Sequence, residues 1–243
     1  MEEEAERPAR SRVLRWLDDR LYPDAWHWDE KLFRKWILDR LSPGDHILDV
    51  GAGSGHVPLM DFRGHAARIC GIDPDERVVD NPYLDEGKVA FGEAIPYPDD
   101  SFDLAFSCSV VEHLEHPAAV FAEVRRVLKP GGRYLIKTPN FWHYMPLVAS
   151  STPLWVHRKL LRRPEEEVFP TQYKANTPKS VRRCAEAAGL SVDDIVLADG
   201  LPGYLTFSVP TYLIGWIYER AVTRIETLAR FRALLIAEMR RPS

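Results

Sequence analysis

The stretch "LDVGAGSG", Leu48–Gly55, decides the fold: it sets three glycines at alternate positions directly behind the apolar run "HILDV". A strand that ends in such bare backbone brings main-chain N–H groups close to a ligand. Three kinds of ligand suit that description: the pyrophosphate of a dinucleotide, a nucleotide phosphate, or a molecule without phosphate. The dinucleotide fingerprint G-x-G-x-x-G fails at His56, and no G-K-[ST] follows Gly55 as a phosphate-binding P-loop requires.

Two carboxylates narrow the choice. Asp49 lies two positions before Gly51, where its charge repels a pyrophosphate and attracts an ammonium group. Asp73, in "GIDP", closes the next apolar run, the position from which an acidic side chain accepts hydrogen bonds from ribose hydroxyls. A ligand with a ribose and a cationic group but no phosphate fits both, and S-adenosylmethionine has that composition.

Outward from this corner, short apolar runs recur as "ARICGID", "VAFGE", "DLAFSCS" and "RYLIKT", each the length of a strand buried on both faces. Helical spacing is expected over 118–128, ending at "KPGG", and from the N-cap Thr177 with Pro178 to Gly189. The strand "SVDDIVLAD", a helix over 210–228 with the stripe Ile214, Ile217, Ala221, Ile225 and Leu228, and the strand "RALLIAEM" follow. Ahead of the corner, Val13, Leu14, Leu17 and Leu21 form one helical stripe. Leu32, Phe33, Trp36, Ile37 and Leu41 form another, with Asp29 as N-cap; these helices cap the core or wall a pocket. Alternating strands and helices predict a doubly wound, mostly parallel α/β sheet. Asp103, Asp99, Asp100, Gly131 and Gly132 read as structural or turn residues.

The blocks "LDVGAGSG", "GIDP", "GEAIPYPDDSFDLAFSCSVVEHLEHP" and "EVRRVLKPGGRYLIKTPN" together resemble the class I S-adenosylmethionine-dependent methyltransferases of the small-molecule, methyltransferase type 11-like kind. The resemblance is close over residues 42–140 and weaker through "RALLIAEMR". It implies a Rossmann-like, seven-stranded sheet with the last strand antiparallel. It also implies one domain over 11–243: N-terminal helices (11–41), a cofactor-binding half (42–140), a lid insertion after the fifth strand (141–176) and the C-terminal half of the sheet (177–243). Residues 1–10 are expected to be disordered. Carried over by position, Asp49, Gly51, Ala52, Gly53 and Gly55 hold the methionine moiety, Asp73 and Pro74 the ribose, and Glu93 and Ala94 the adenine side. Ser107 and Cys108 line the cofactor with backbone groups. The stretch from Asp75 to Val89 is too short for the family's usual second helix.

Methyl transfer from a sulfonium needs an acceptor held in line with the methyl carbon, and an oxygen acceptor also needs a base. His113, beside Glu112, and His143, beside Tyr144, lie past the ends of the fourth and fifth strands, where ligands bind in open α/β sheets. The insertion adds the basic run "HRKLLRR" (157–163) and the aromatics Trp142, Trp155, Phe169 and Tyr173, suited to a lid or an anionic group on the acceptor.

The bulk numbers exclude other classes. A net charge of −4 gives no field for sequence-independent nucleic-acid binding. Three dispersed cysteines make neither a disulfide framework nor a metal site, and fit a reducing, cytoplasmic setting. The expected activity is methyl transfer to a small molecule, at oxygen. A membrane-surface methyltransferase acting on a lipid or lipid-linked glycan is a second reading, motivated by "LPGYLTFSVPTYLIGWIY". A non-catalytic S-adenosylmethionine-binding protein is a third, and a dehydrogenase is opposed by His56 and Asp49.

Overall fold

The computed structural model describes residues 12–22, 27–151, 170–200 and 205–243. The run 157–163, Trp155, Phe169 and the expected disordered start over 1–10 lie outside them. Seven strands form one sheet: β1 (His46–Val50), β2 (Arg68–Asp73), β3 (Glu86–Val89), β4 (Phe102–Cys108), β5 (Leu128–Pro139), β6 (Ser191–Ala198) and β7 (Leu234–Arg240). Their order is β3-β2-β1-β4-β5-β7-β6. Strands β1 to β5 pair in parallel, and β7 runs antiparallel to both β5 and β6. This is the doubly wound, Rossmann-like sheet with an inverted last strand expected from the sequence.

The third strand is not "VAFGE". It is the polar "EGKV" of β3, an edge strand that pairs with β2 alone. A search for apolar runs finds strands buried on both faces and passes over an edge that stays wet. The helix expected to end at "KPGG" gives way to strand at Leu128, and the β4–β5 register shifts between Phe102 and Leu104 around Gly131, whose φ is +80°.

Among the described residues the α-helices are α1 (Arg12–Leu21), α2 (Trp28–Leu38), α3 (Pro117–Val127), α4 (Tyr144–Ser151), α5 (Pro178–Ala188) and α6 (Val209–Arg224). Thr177 and Ser180 form a reciprocal cap at the start of α5, and Gly189 closes that helix at φ +73°. One face of the sheet buries Val120, Phe121 and Val124 of α3 with Val181 and Ala185 of α5. The other buries Phe33 and Ile37 of α2 against Ile47, Phe106 and Leu135.

No α-helix follows the glycine turn. A 3-10 turn, Pro58–Met60, carries the chain to β2, and another, Glu76–Asp80, carries it to β3. Pro58 stands at the first position of that short turn, with Val57 extended before it, and the chain is extended again at Asp61. Helix α2 covers the uncovered face instead. Arg34 of α2 donates to the carbonyls of Leu59 (2.7 Å) and Asp61 (2.6 Å), and Phe33 and Phe62 both pack edge-on to Phe106. The N-cap of α2 is His27, in left-handed backbone, and not Asp29, which turns inward.

Strands β1, β2, β4, β5 and β6 all end at one edge of the sheet, and β7 begins there, with Ala198 opposite Leu234. The excursions after β5 and after β6 therefore both rise over that edge. Helix α6 joins α1 through Tyr212 Oη, which donates to Asp18 (2.9 Å), and joins the start of α4 through His143 and Glu219 (3.0 Å). Together α1, α4 and α6 make a cap over the carboxyl edge. The stripe expected on α6 faces outward: Ile214 and Ile217 are about 60% exposed, at 61% and 60%, and Ile225 is exposed too. The buried face of α6 carries Tyr212, Gly215, Glu219 and Val222, and the helix ends at Arg224, short of Leu228.

Candidate functional site

The carboxyl edge of β1 and β2 is built from polar ties between neighbouring loops. Asp73, at the end of β2, accepts from the N–H of Gly53 (2.9 Å) on one oxygen and from the N–H of Asp75 (2.8 Å) on the other. Each carboxylate oxygen can accept a second bond, so Asp73 keeps capacity for a ligand hydroxyl. Gly51 and Ala52 donate to the carbonyl of Ile72, which pins the turn to β2. Gly53 has φ +53° and open space where a Cβ would stand, so the turn leaves bare backbone accessible there. At Gly51 a Cβ would collide with Val110, which folds over from the loop after β4.

Asp49, next to last in β1, is 6% exposed, and among the described residues its Oδ1 has no hydrogen-bond partner. Burial, reinforced by the charge of Asp73, pushes its carboxyl up to about 8. A buried carboxyl with an unused oxygen beside an open backbone cradle has the features of a receptor for a cationic group.

Asn81 is a residue the sequence reading missed. It is buried, its amide donates to the carbonyls of Ala52 (3.0 Å) and Gly53 (3.2 Å), and its Oδ1 accepts from the N–H of Tyr83 (3.0 Å). It holds the glycine turn from the far side. Its signal was slight: one asparagine before a proline in a short crossover.

Glu93, half-buried, and Ala94, exposed, occupy the turn after β3, and Pro74 the loop after β2. Ser107 is buried and its hydroxyl pairs with Tyr134 Oη (2.9 Å), so its side chain serves the core and only its backbone can line the edge. Cys108 points to the opposite face. Burial drives its thiol up to about 12, against the pull of the Lys137 ammonium, so it is no nucleophile at neutral pH.

Beside Cys108 in the β4–β5 register is Lys137, 1% exposed, whose Nζ donates to Asp29 (2.6 Å) at the start of α2. Against burial, the neighbouring Cys108, Asp29 and Glu30 hold this lysine above its ordinary range. Burial opposes the Asp29 charge, but a hydrogen bond from Glu30 and the lysine outweigh it and hold its carboxyl low. Glu30 is pushed up, by burial first and then by Asp29. Lys137 was not singled out from the sequence, and Asp29 was read there only as a helix N-cap, because the two are 108 positions apart.

The two histidines part company. His113 sits on the loop after β4, with Nδ1 3.4 Å from the carbonyl of Pro170. Beside it, Glu112 is buried and accepts from Thr138 (2.9 Å), whose hydroxyl accepts in turn from Asn176 (2.6 Å). Burial pushes the Glu112 carboxyl up. His143 is 1% exposed; its Nε2 donates to Glu219 (3.0 Å) and its Nδ1 lies 3.4 Å from the N–H of Met145. The rings of Tyr144 and Tyr218 pack on it. Both its nitrogens are engaged inside the cap, so the base role expected of His143 does not fit its place: no nitrogen remains to take a proton from an acceptor.

Residues 48–136 match a family model described as a methyltransferase domain. A demethylmenaquinone methyltransferase of Symbiobacterium thermophilum is 34% identical over a match covering 44% of this chain and 47% of that protein. The chain spans about half the length, or less, of the curated relatives it matches. An S-adenosylmethionine-dependent methyltransferase from Mesorhizobium loti superposes with a TM-score of 0.58 at 18% identity, covering 90% of this chain and 99% of that one. A geranyl diphosphate C-methyltransferase from Streptomyces coelicolor, solved with Mg2+, geranyl diphosphate and S-adenosyl-L-homocysteine, gives 0.57 at 16% identity, over 87% and 80%. At these identities the solved structures establish the shared fold alone.

Proposed function

We propose, from the premise that this chain carries a class I S-adenosylmethionine-dependent methyltransferase domain, that it binds S-adenosylmethionine and moves a methyl group to a small-molecule acceptor, at oxygen. The observation that carries the cofactor assignment is the buried Asp49, near the end of the strand that leads into the open glycine turn, whose Oδ1 has no partner among the described residues. An ammonium is the group that such a carboxyl lacks, and a phosphate is the group that it repels. In this reading Asp49 and the turn from Gly51 to Gly55 hold the amino-acid tail. Asp73 and Pro74 take the ribose, Glu93 and Ala94 flank the adenine, and the backbone at Ser107 and Cys108 closes the floor. When bound, S-adenosylmethionine supplies an activated methyl group on a cationic sulfur.

The residues of the chain then have positioning work. The cap over the carboxyl edge keeps bulk water from the acceptor and orients it. His113 is the remaining candidate to take a proton from an acceptor hydroxyl. Glu112 next to it is fixed by Thr138 and steadies that loop. His143, held between Glu219 and two tyrosine rings, positions the cap. The acceptors named for similar proteins include a demethylmenaquinone and geranyl diphosphate, both small organic molecules, which supports an acceptor of that class here. The three cysteines are free thiols, consistent with a cytoplasmic setting.

Titration calorimetry with S-adenosylmethionine tests the assignment. The intact protein binds, and Asp49→Asn binds about 10- to 100-fold more weakly, the loss of one charge-assisted contact. A folded wild-type protein that gives no heat with S-adenosylmethionine overturns it.

A further inference from the structure

The outward face of the cap has no role in holding a methyl donor. Along α6 the exposed positions are Pro210, Leu213, Ile214, Ile217 and Arg224, so no charge interrupts the face before the last turn. Phe207 is exposed just ahead of the helix. Helix α1, tied to α6 by the Asp18–Tyr212 bond and by Arg220 reaching the carbonyl of Leu21, exposes Val13 and Trp16. A helix normally turns such a stripe inward; here the inward face of α6 is taken by Tyr212 and the Glu219–His143 pair. Exposed aliphatic residues gathered on one surface mark a contact site.

The geometry points to an anionic lipid surface as what this face contacts. The exposed charges of α1 are Arg12, Arg15 and Arg20 against Asp19, and α6 adds Arg224, with Glu226 exposed just past its end, so arginine outnumbers acid. An apolar face with amphipathic rings and an arginine rim suits the headgroup boundary of a bilayer, where the rim meets phosphate and the aliphatic side chains meet acyl chains. Pairing two copies through this face would set the arginine rims of both against each other. No helix among the described residues is long and apolar enough to cross a membrane, so the contact is peripheral. The face covers the carboxyl edge of the sheet, where the acceptor would enter. Resting on the methyltransferase reading, the inference therefore assigns the acceptor to the membrane-resident, apolar class.

Co-sedimentation with vesicles tests this on the full chain. Vesicles of phosphatidylcholine alone are compared with vesicles that also contain phosphatidylglycerol. The protein pellets with the anionic vesicles, and salt weakens the association. Ile214→Asp with Ile217→Asp lowers vesicle affinity by about tenfold or more, and Arg12→Glu with Arg15→Glu removes the preference for anionic lipid. Both pairs lie on the surface and leave circular dichroism and S-adenosylmethionine titration unchanged. No pelleting with either vesicle overturns the inference, as does undiminished pelleting of the isoleucine variant. A dimer in sedimentation velocity that this variant dissolves, without vesicle binding by the wild type, assigns the face to a second copy and overturns it too. Failure of the intact protein to bind S-adenosylmethionine would instead remove the methyltransferase reading and leave the vesicle result standing.

Discussion

The glycine corner and the cap sit on the same edge of one sheet, yet they are held in opposite ways. The corner is tied by bonds between residues close in the chain: Asp73 to Gly53 across 20 positions and Asn81 to Ala52 across 29. The cap and its seat are tied by pairs far apart: His143 to Glu219 across 76, Lys137 to Asp29 across 108, and Tyr212 to Asp18 across 194. The corner's ties end on backbone N–H and C=O groups and leave bare backbone accessible. Those of the cap join side chains, and the His143–Glu219 pair is buried where an unmade bond is expensive. Damage to the corner should therefore show in ligand affinity, and damage to the cap in stability.

The sharpest way to break this contrast is Asp73→Ala. It removes the acceptor for ribose hydroxyls and frees the Gly53 N–H, so affinity for S-adenosylmethionine falls by roughly two to three orders of magnitude, about 3–4 kcal/mol. The thermal midpoint moves by a few degrees at most. An equal loss in both measurements would show that the corner is a stability element after all.

Lys137→Met probes the seat of the cap and should do the reverse. It leaves Asp29 half-buried without its cation and costs about 2 kcal/mol in denaturant unfolding at neutral pH. The Asp29 carboxyl, held low in the folded wild type, contributes stability above its unfolded pKa that is lost as pH falls through its folded value. The difference between variant and wild type therefore shrinks in acid, while S-adenosylmethionine affinity of the folded fraction stays within a few-fold.

Asp49→Asn separates the two measurements inside one residue. The folded carboxyl titrates at about 8, above its unfolded value, so the folded state binds the extra proton and wild-type stability declines between about pH 4 and 8. The variant lacks that decline and is the more stable of the two near pH 9, by about 2 kcal/mol, although it binds ligand worse. Wild-type affinity rises with pH towards 8, with proton release detectable in buffers of different ionisation enthalpy.

The smallest effect belongs to Glu219→Leu, which leaves the His143 Nε2–H buried without an acceptor and costs about 1–2 kcal/mol in unfolding. Affinity for S-adenosylmethionine should not change. If it does, the cap reaches the corner more directly than the geometry indicates.

What could be read in the sequence follows the same division. The strands β1, β2, β4 and β5 were legible because strands buried on both faces are apolar throughout, and α5 because Thr177-Pro178 and Gly189 state its ends in local chemistry. The edge strand β3 was misplaced because a wet strand carries no such run. The crossover after the glycine turn holds only the 3-10 turn Pro58–Met60, and the face it leaves open is closed by α2, which precedes the corner in the chain. Asp29 looked like a cap because it precedes a helical stripe, and only its reach to Lys137 shows otherwise. His143 looked like a base because it follows a strand end, and only its two bonded nitrogens show that it is a strut.

By itself, the sequence determined the buried strands of the sheet and the glycine corner, since each rests on periodicity or on residues within a few tens of positions. Only the tertiary structure decided which way the apolar stripe of α6 faces, what Lys137 and His143 pair with, and that α2 stands in for a crossover helix. The physical reason is that a helical period reports that two faces differ, but which face is buried depends on what packs against it, and here that partner is a buried His–Glu pair completed from another part of the chain.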